Sequence, residues 1–320
     1  MGRMSMNGDT VNRKNNWPII ILSLLAVICL LFAGYIAWNK EQRENRLGEE
    51  GSPLIFLISR EHGKNLSDKD LRFISDFLKN ETGMYFTVHT TPSSLQAIES
   101  FSSEADIGLL NLFEYLLTRH AYGVEAVLQV IRRGTESEYS GVIVTKADQK
   151  INSIKDLQGK RFAFGDPFST SGFVYPAKLL KDKGVSVSKV FSGSHTEALS
   201  LLKEGKVDAA AVFADAVKND SSLRVIAFTD SIPNEPIFLR ADMRAEKRDK
   251  IISGLRRLAS TPEGISVLSR IADISGFKII ENKNYDDVIE VIHDAGMTIY
   301  DIVPEGIQVE SRKRGIDLIP

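Results

Sequence analysis

An unbroken run of 21 uncharged residues, Pro18 to Trp38 (PIIILSLLAVICLLFAGYIAW), restricts this 320-residue chain more than any other feature. At about 1.5 Å of rise per residue, roughly 20 such residues cross a hydrocarbon core about 30 Å thick. The run is apolar on every side, which sets it apart from a helix with one face in water. Trp17 and Trp38 flank it, as aromatic residues do at membrane–water interfaces. A cleaved secretory signal is the main rival. Its apolar region is usually about 7–15 residues long and ends in small residues before the cut. Here Tyr35 and Ile36 interrupt the Ala-x-Ala window, and Ile28 stands where processing before Cys29 would need a small residue. The expectation is an uncleaved transmembrane anchor over 17–38, with a cytoplasmic tail over 1–16 and a solvated linker over 39–52. Arg3, Arg13 and Lys14 against a single Asp9 favour a cytoplasmic N-terminus and an external body. Gly48 and Gly51 are expected to end any helical continuation.

From Pro53 onward the pattern changes to alternating strand-like and helix-like stretches. LIFLI (54–58) is followed by NLSDKDLRFISDFLKNETG, with Ser67 as N-cap and Asp70 three residues later. YFTVHT, ADIGLLN and AVLQVIRR read as further strands, separated by helical stretches. A second alternating set begins at GVIVTK and runs through RFAFG, VSKVFSG and VDAAAVFA. Such alternation predicts a mostly parallel sheet between helices, here in two α/β lobes. The remainder to Tyr300 reads as mostly helical, and the tail over 301–320 as short and weakly patterned.

Composition removes several function classes. A formal net charge of −2 argues against a nucleic-acid partner. One cysteine builds no disulfide framework, and the five histidines are scattered, none at metal-ligand spacing. No metal or cofactor is expected. Neither a nucleophile–base set nor a cofactor fingerprint points to an enzyme.

The segment GKRFAFGDPFSTSGFVYPAKLL (159–180) carries the strongest site signal. It turns from a strand into a helix through Ser169-Thr170-Ser171-Gly172. The first turn of a helix has free N–H groups and a partial positive charge. Three hydroxyls added there form a nest for a tetrahedral oxyanion, and a glycine permits close approach of the backbone. Helix capping by Ser169 or Thr170 is the plainer reading of the same residues. A second strand-to-helix junction, Ser194-His195-Thr196, has similar character, and adjacent strand ends share one crevice in open α/β sheets.

INSIKDLQGKRFAFGDPFSTSGFVYPAKLLKDKGV, with GSHTEALSLLKEGKVDAAAV, DSIPNEPIFLR and YDDVIEVI, resembles the phosphonate/phosphite/phosphate-binding proteins of bacterial ABC transporters. The resemblance covers roughly residues 53–300. It implies a two-lobed type II periplasmic binding protein fold with a double hinge crossing, preceded here by one transmembrane helix. Lobe 1 would hold 53–136 and 238–300 and lobe 2 would hold 137–237, with crossings near 135–141 and 235–241. The resemblance also implies that Ser169, Thr170, Ser171 and His195 hold the phosphorus oxyanion. Asp215 and Glu235 match the acidic residues that hold the amine of aminoalkylphosphonates; capping and a solvated loop charge are their plainer readings. The tyrosines that family members use on the first lobe are missing, with Ser94, Leu110 and Asn111 expected on that wall instead. The implied function is capture of a phosphonate, phosphite or phosphate outside a bacterial cytoplasmic membrane for an ABC permease, not catalysis. The alternative is a ligand-binding module reporting to a separate membrane sensor.

Overall fold

The computed structural model describes residues 17–133, 136–271 and 273–313. The expected cytoplasmic tail over 1–16 lies outside the described residues, as does the end of the C-terminal tail. The chain forms two compact units, Met1–Leu47 and Gly48–Pro320.

Among the described residues, the first unit holds one helix, Trp17–Arg46, about 45 Å long at 1.5 Å per residue. Its segment Leu24–Arg46, 23 residues with an unburied stretch of mean hydropathy 1.4, has the length and composition to cross a membrane. Leu22, Leu30, Leu31 and Phe32 all stand exposed, so no protein core accounts for this apolar surface. The segment expected to be a solvated linker is helical through Arg46, because its Lys, Glu, Gln and Arg residues are good helix formers. Gly48 follows at φ +94°, a conformation that ends a helix.

The second unit contains two sheets. The first has six strands in the order β11-β4-β10-β3-β1-β2, and the second has five in the order β7-β6-β8-β5-β9. The first five strands are β1 (Leu54–Ile58), β2 (Phe86–Thr90), β3 (Ile107–Leu109), β4 (Glu125–Arg132) and β5 (Glu138–Lys146). They are followed by β6 (Arg161–Phe164), β7 (Ser188–Phe191), β8 (Ala209–Phe213), β9 (Leu223–Pro233), β10 (Pro236–Leu239) and β11 (Ile274–Ile279). The chain leaves the first sheet between β4 and β5 and returns between β9 and β10. This is the two-lobed α/β fold with a double crossing.

Both sheets are mixed, whereas alternation alone predicted mostly parallel ones. Strand β1 pairs parallel with β2 and β3, but the returning strand β10 inserts antiparallel between β3 and β4. In the second sheet β6 pairs parallel with β7 and β8, and β5, the first strand after the crossing, runs against β8 and β9. The crossings cause the difference, because a strand arriving from the other sheet is not a βαβ crossover and can enter in the opposite sense. Strand β11 lies in the region read as mostly helical. It pairs antiparallel with β4, with a register shift between Ile274 and Gly276.

Local signals account for many of the helix ends. Ser67 and Asp70 form a complete capping box at helix Asp68–Thr82, which Gly83 closes in the left-handed conformation. Each lobe has an aromatic centre. In the first, the Tyr115, Phe101 and Tyr285 rings stand with Phe238 in a chain of contacts at 5.0–5.2 Å. In the second, Phe164 lies 4.6 Å from Phe162 and 5.1 Å from Phe173. Burying one such side chain contributes about 1.5–3 kcal/mol. The tail is better organised than its sequence suggested. Helix Gly306–Lys313 buries Val309, and Gly306 sits so close to Leu117 that an added Cβ would approach to 2.5 Å.

Candidate ligand-binding site

The candidate residues lie just beyond the carboxyl ends of strands. His62 follows β1, Asn111 follows β3, Ser169 follows β6, His195 follows β7 and Asp215 follows β8. This is where open α/β sheets present ligand-binding groups. Glu235 sits at the second crossing, between β9 and β10.

Ser169 caps a wide turn, Thr170–Val174, that leads into helix Tyr175–Asp182. Its Oγ accepts from the Gly172 amide at 3.0 Å, and its carbonyl accepts from Phe173 and Val174. The amides of Thr170 and Ser171 open the turn ahead of those bonds, where a helix has no acceptors of its own. Pro176 falls in the first turn of the following helix, where its missing N–H costs little. The Thr170 hydroxyl is 2.6 Å from that of Tyr139, and Ser171 is buried. Gly172 is required by space: a Cβ there would stand 2.8 Å from Ser169 Oγ and 2.9 Å from His195 Cε1.

His195 opens helix His195–Lys203, which Ser194 caps by accepting from the Glu197 amide. Its Nε2 is 3.4 Å from Ser169 Oγ, so the two junctions meet. The Phe213 ring stands edge-on to the imidazole at 5.1 Å. Burial lowers the His195 pKa below its ordinary value, against the opposing effects of the Asp166 charge and the Ala211 carbonyl.

A cavity of about 320 Å³ joins these groups. Ser169, Thr170, Ser171 and His195 border it, and so do Asn111, Leu112 and Phe113 from the first lobe. Asn111 and Glu114 form the capping box of helix Leu112–Tyr122. Three helix starts therefore border one space. Of the residues expected on the first-lobe wall, Asn111 is placed there. Leu110 is buried in the hydrophobic core, and the Ser94 hydroxyl donates to Glu114.

A second cavity of about 590 Å³ shares Tyr139, Ser171, His195 and Glu235 with the first. Asp215, Phe213, Phe228, Arg132 and Arg133 also border it. All six candidate residues thus line one or both cavities. The two carboxylates have cationic partners within the chain. Glu235 accepts from Arg132 at 2.7 and 2.8 Å and from His62 Nε2 at 2.9 Å, while Asp215 pairs with Arg133. Burial alone would raise the Glu235 pKa, but the charges of Arg132 and His62 hold it well below the ordinary carboxylate range. Burial opposes protonation of His62, and Glu235 outweighs it, so the His62 pKa is raised. His62 Nδ1 lies 2.7 Å from Ser59 Oγ. The resemblance implied that Asp215 and Glu235 hold a ligand amine; in the fold each also pairs with a cationic side chain of the protein itself. His62, Arg132, Arg133 and Tyr139 were not singled out from sequence. A histidine and two adjacent arginines carry no local signal of a partner more than 80 residues away.

The family described as ABC transporter, phosphonate, periplasmic substrate-binding protein matches residues 63–285, well over half of the chain. The chain belongs to this family. A curated relative, the phosphonates-binding periplasmic protein of Escherichia coli (strain K12), is 29% identical over 234 residues, covering 67% of this chain and 68% of its own. A phosphate-import protein of Mycolicibacterium smegmatis is 25% identical over 210 residues, 60% of this chain and 64% of the relative. Among solved structures, a Prochlorococcus marinus protein in complex with methylphosphonate superposes with a TM-score of 0.59 at 20% identity, covering 76% of this chain and 98% of that one. That likeness shows the shared fold, two mixed α/β sheets joined by a double crossing. Family membership supports a binding protein rather than an enzyme.

Proposed function

We propose that this protein captures a phosphonate or related phosphorus oxyanion outside the cytoplasmic membrane and delivers it to an ABC permease, held to that membrane by helix Trp17–Arg46. The observation that carries this reading is the meeting of three helix starts on one cavity, in a chain of a phosphonate-binding family. Ser169, Thr170, Ser171 and His195 would hold the oxyanion. Hydrogen bonds to a charged group contribute about 1.5–3 kcal/mol each, so four of them reach the roughly 8 kcal/mol of a micromolar complex. Asp215 and Glu235 would border the rest of the ligand. The two sheets would act as lobes, 53–136 with 238–300 and 137–237, closing on the ligand about the crossings.

Calorimetric titration of the full chain in detergent with phosphite, phosphate and methylphosphonate tests this reading. Saturable binding of at least one is expected, with sulfate weaker. Absence of binding by all three, in a folded protein, would overturn it.

A further inference from the structure

We propose that the oxyanion taken by this site carries an aromatic substituent, which lies in the larger cavity between Phe213 and Phe228. The inference rests on the oxyanion reading above and narrows it. The larger cavity is continuous with the nest, since Tyr139, Ser171, His195 and Glu235 border both. At about 590 Å³ it has the size of a pocket that encloses a drug-sized ligand, far more than a methyl or aminoethyl group fills.

Its walls suit a flat apolar group. Phe228 lies on β9 with 63% of its surface exposed, and it is among the residues bordering this cavity. Leaving so much phenylalanine surface in water is unfavourable, and a ligand ring would cover it. Phe213 borders the same space and already stacks edge-on against His195, so it joins the anion-binding groups to the apolar wall.

The charges at this cavity do not call for a ligand amine. An amine would compete with Arg133 for Asp215, and with Arg132 and His62 for Glu235. The remaining carboxylates, Glu136, Glu138 and Asp273, are exposed. Glu136 also reaches Arg133, and Glu138 accepts from the Ser231 hydroxyl. Solvent screens such exposed groups strongly. A neutral ring passes them without an ion to desolvate.

The test is titration of the full chain in detergent with methylphosphonate, 2-aminoethylphosphonate, phenylphosphonate and phenyl phosphate. Phenylphosphonate or phenyl phosphate is expected to bind at least tenfold tighter than methylphosphonate. Whichever aryl compound is tighter identifies a phosphonate or a phosphate ester as the source. Phe228→Ala is expected to reduce that ratio at least fivefold, and Phe228→Leu by less. Aryl compounds no tighter than methylphosphonate, or weaker than 2-aminoethylphosphonate, would overturn the inference while leaving the oxyanion site standing. An aryl preference that survives both Phe228 variants in folded protein would overturn the placement of the ring. Failure of every compound to bind would overturn the oxyanion reading itself.

Discussion

Thr170 stands between two demands: its hydroxyl lies 2.6 Å from that of Tyr139, and it borders the smaller cavity. Tyr139 thereby fixes the direction in which Thr170 presents its oxygen. Replacing Thr170 with alanine should weaken methylphosphonate binding by about 1.5–3 kcal/mol, the range for a hydrogen bond to a charged group. The fold should persist, because Ser169 still caps the turn through Gly172. Calorimetry beside a thermal melt checks both parts; unchanged affinity in a folded variant would reduce the cluster to a cap. The Glu235–His62 pair makes a separate prediction, about pH. Glu235 is depressed from an ordinary 4.5, so its contribution to stability is present above 4.5 and is lost as pH falls toward its folded value. His62 is raised from 6.5, so its contribution is full below 6.5 and is lost as pH rises through its folded value. The pair therefore stabilises most between about pH 4.5 and 6.5. Denaturation midpoints of Glu235→Gln should fall furthest below wild type in that window. A pH-independent difference would contradict the coupling. The serine–threonine cluster was legible from sequence because the bonds that Ser169 accepts within the turn run three to five residues along the chain, whereas the contacts of Thr170 with Tyr139 and of Ser169 with His195 were not legible. The Glu235 cluster was not, because its partners lie 103 and 173 residues away.

The wide turn Thr170–Val174 and helix His195–Lys203 work as one element through Gly172, whose hydrogen faces both Ser169 and His195. Any side chain there must push one of them aside, since Cβ contacts below 3 Å are essentially never tolerated. Gly172→Ala should weaken oxyanion binding at least tenfold, about 1.4 kcal/mol, while costing less in melting temperature than a core truncation. Wild-type affinity in this variant would mean that the two junctions need not touch. Element types were mostly legible here because capping residues mark helix starts, as Ser67 with Asp70 and Ser194 do. Strand sense was not legible. Alternation reports which face of a strand is buried, but β5 and β10 take their direction from the crossings that precede them. Strand β11 escaped notice because Gly276 and the register shift at Ile274 break its alternation. The helical tail after Tyr300 escaped because its stabilising contact, Gly306 on Leu117, is long-range.

At the scale of the whole molecule, helix Trp17–Arg46 and the two-sheet body make separate predictions. The exposed apolar surface of the helix predicts that the chain stays with membranes after carbonate washing and that the mature protein retains residues 17–38. An N-terminus beginning after Trp38 would contradict this. In the body, the groups proposed to hold the ligand come from both sheets, with Asn111 beyond β3 and Ser169 and His195 beyond β6 and β7. Ligand should therefore favour a closed form, by as much as its affinities for the open and closed forms differ. Neutron scattering with the detergent contrast-matched should record a smaller radius of gyration at saturation, and an equal radius would indicate a preformed site. The oxyanion itself is proposed to sit where three helix starts meet. A crystal structure of the full chain grown with methylphosphonate tests this placement most directly. Phosphonate oxygens are expected about 2.7–3.2 Å from the Ser169, Thr170 and Ser171 hydroxyls or amides and from the His195 ring. Methylphosphonate bound elsewhere, with this cavity holding only water, would contradict it.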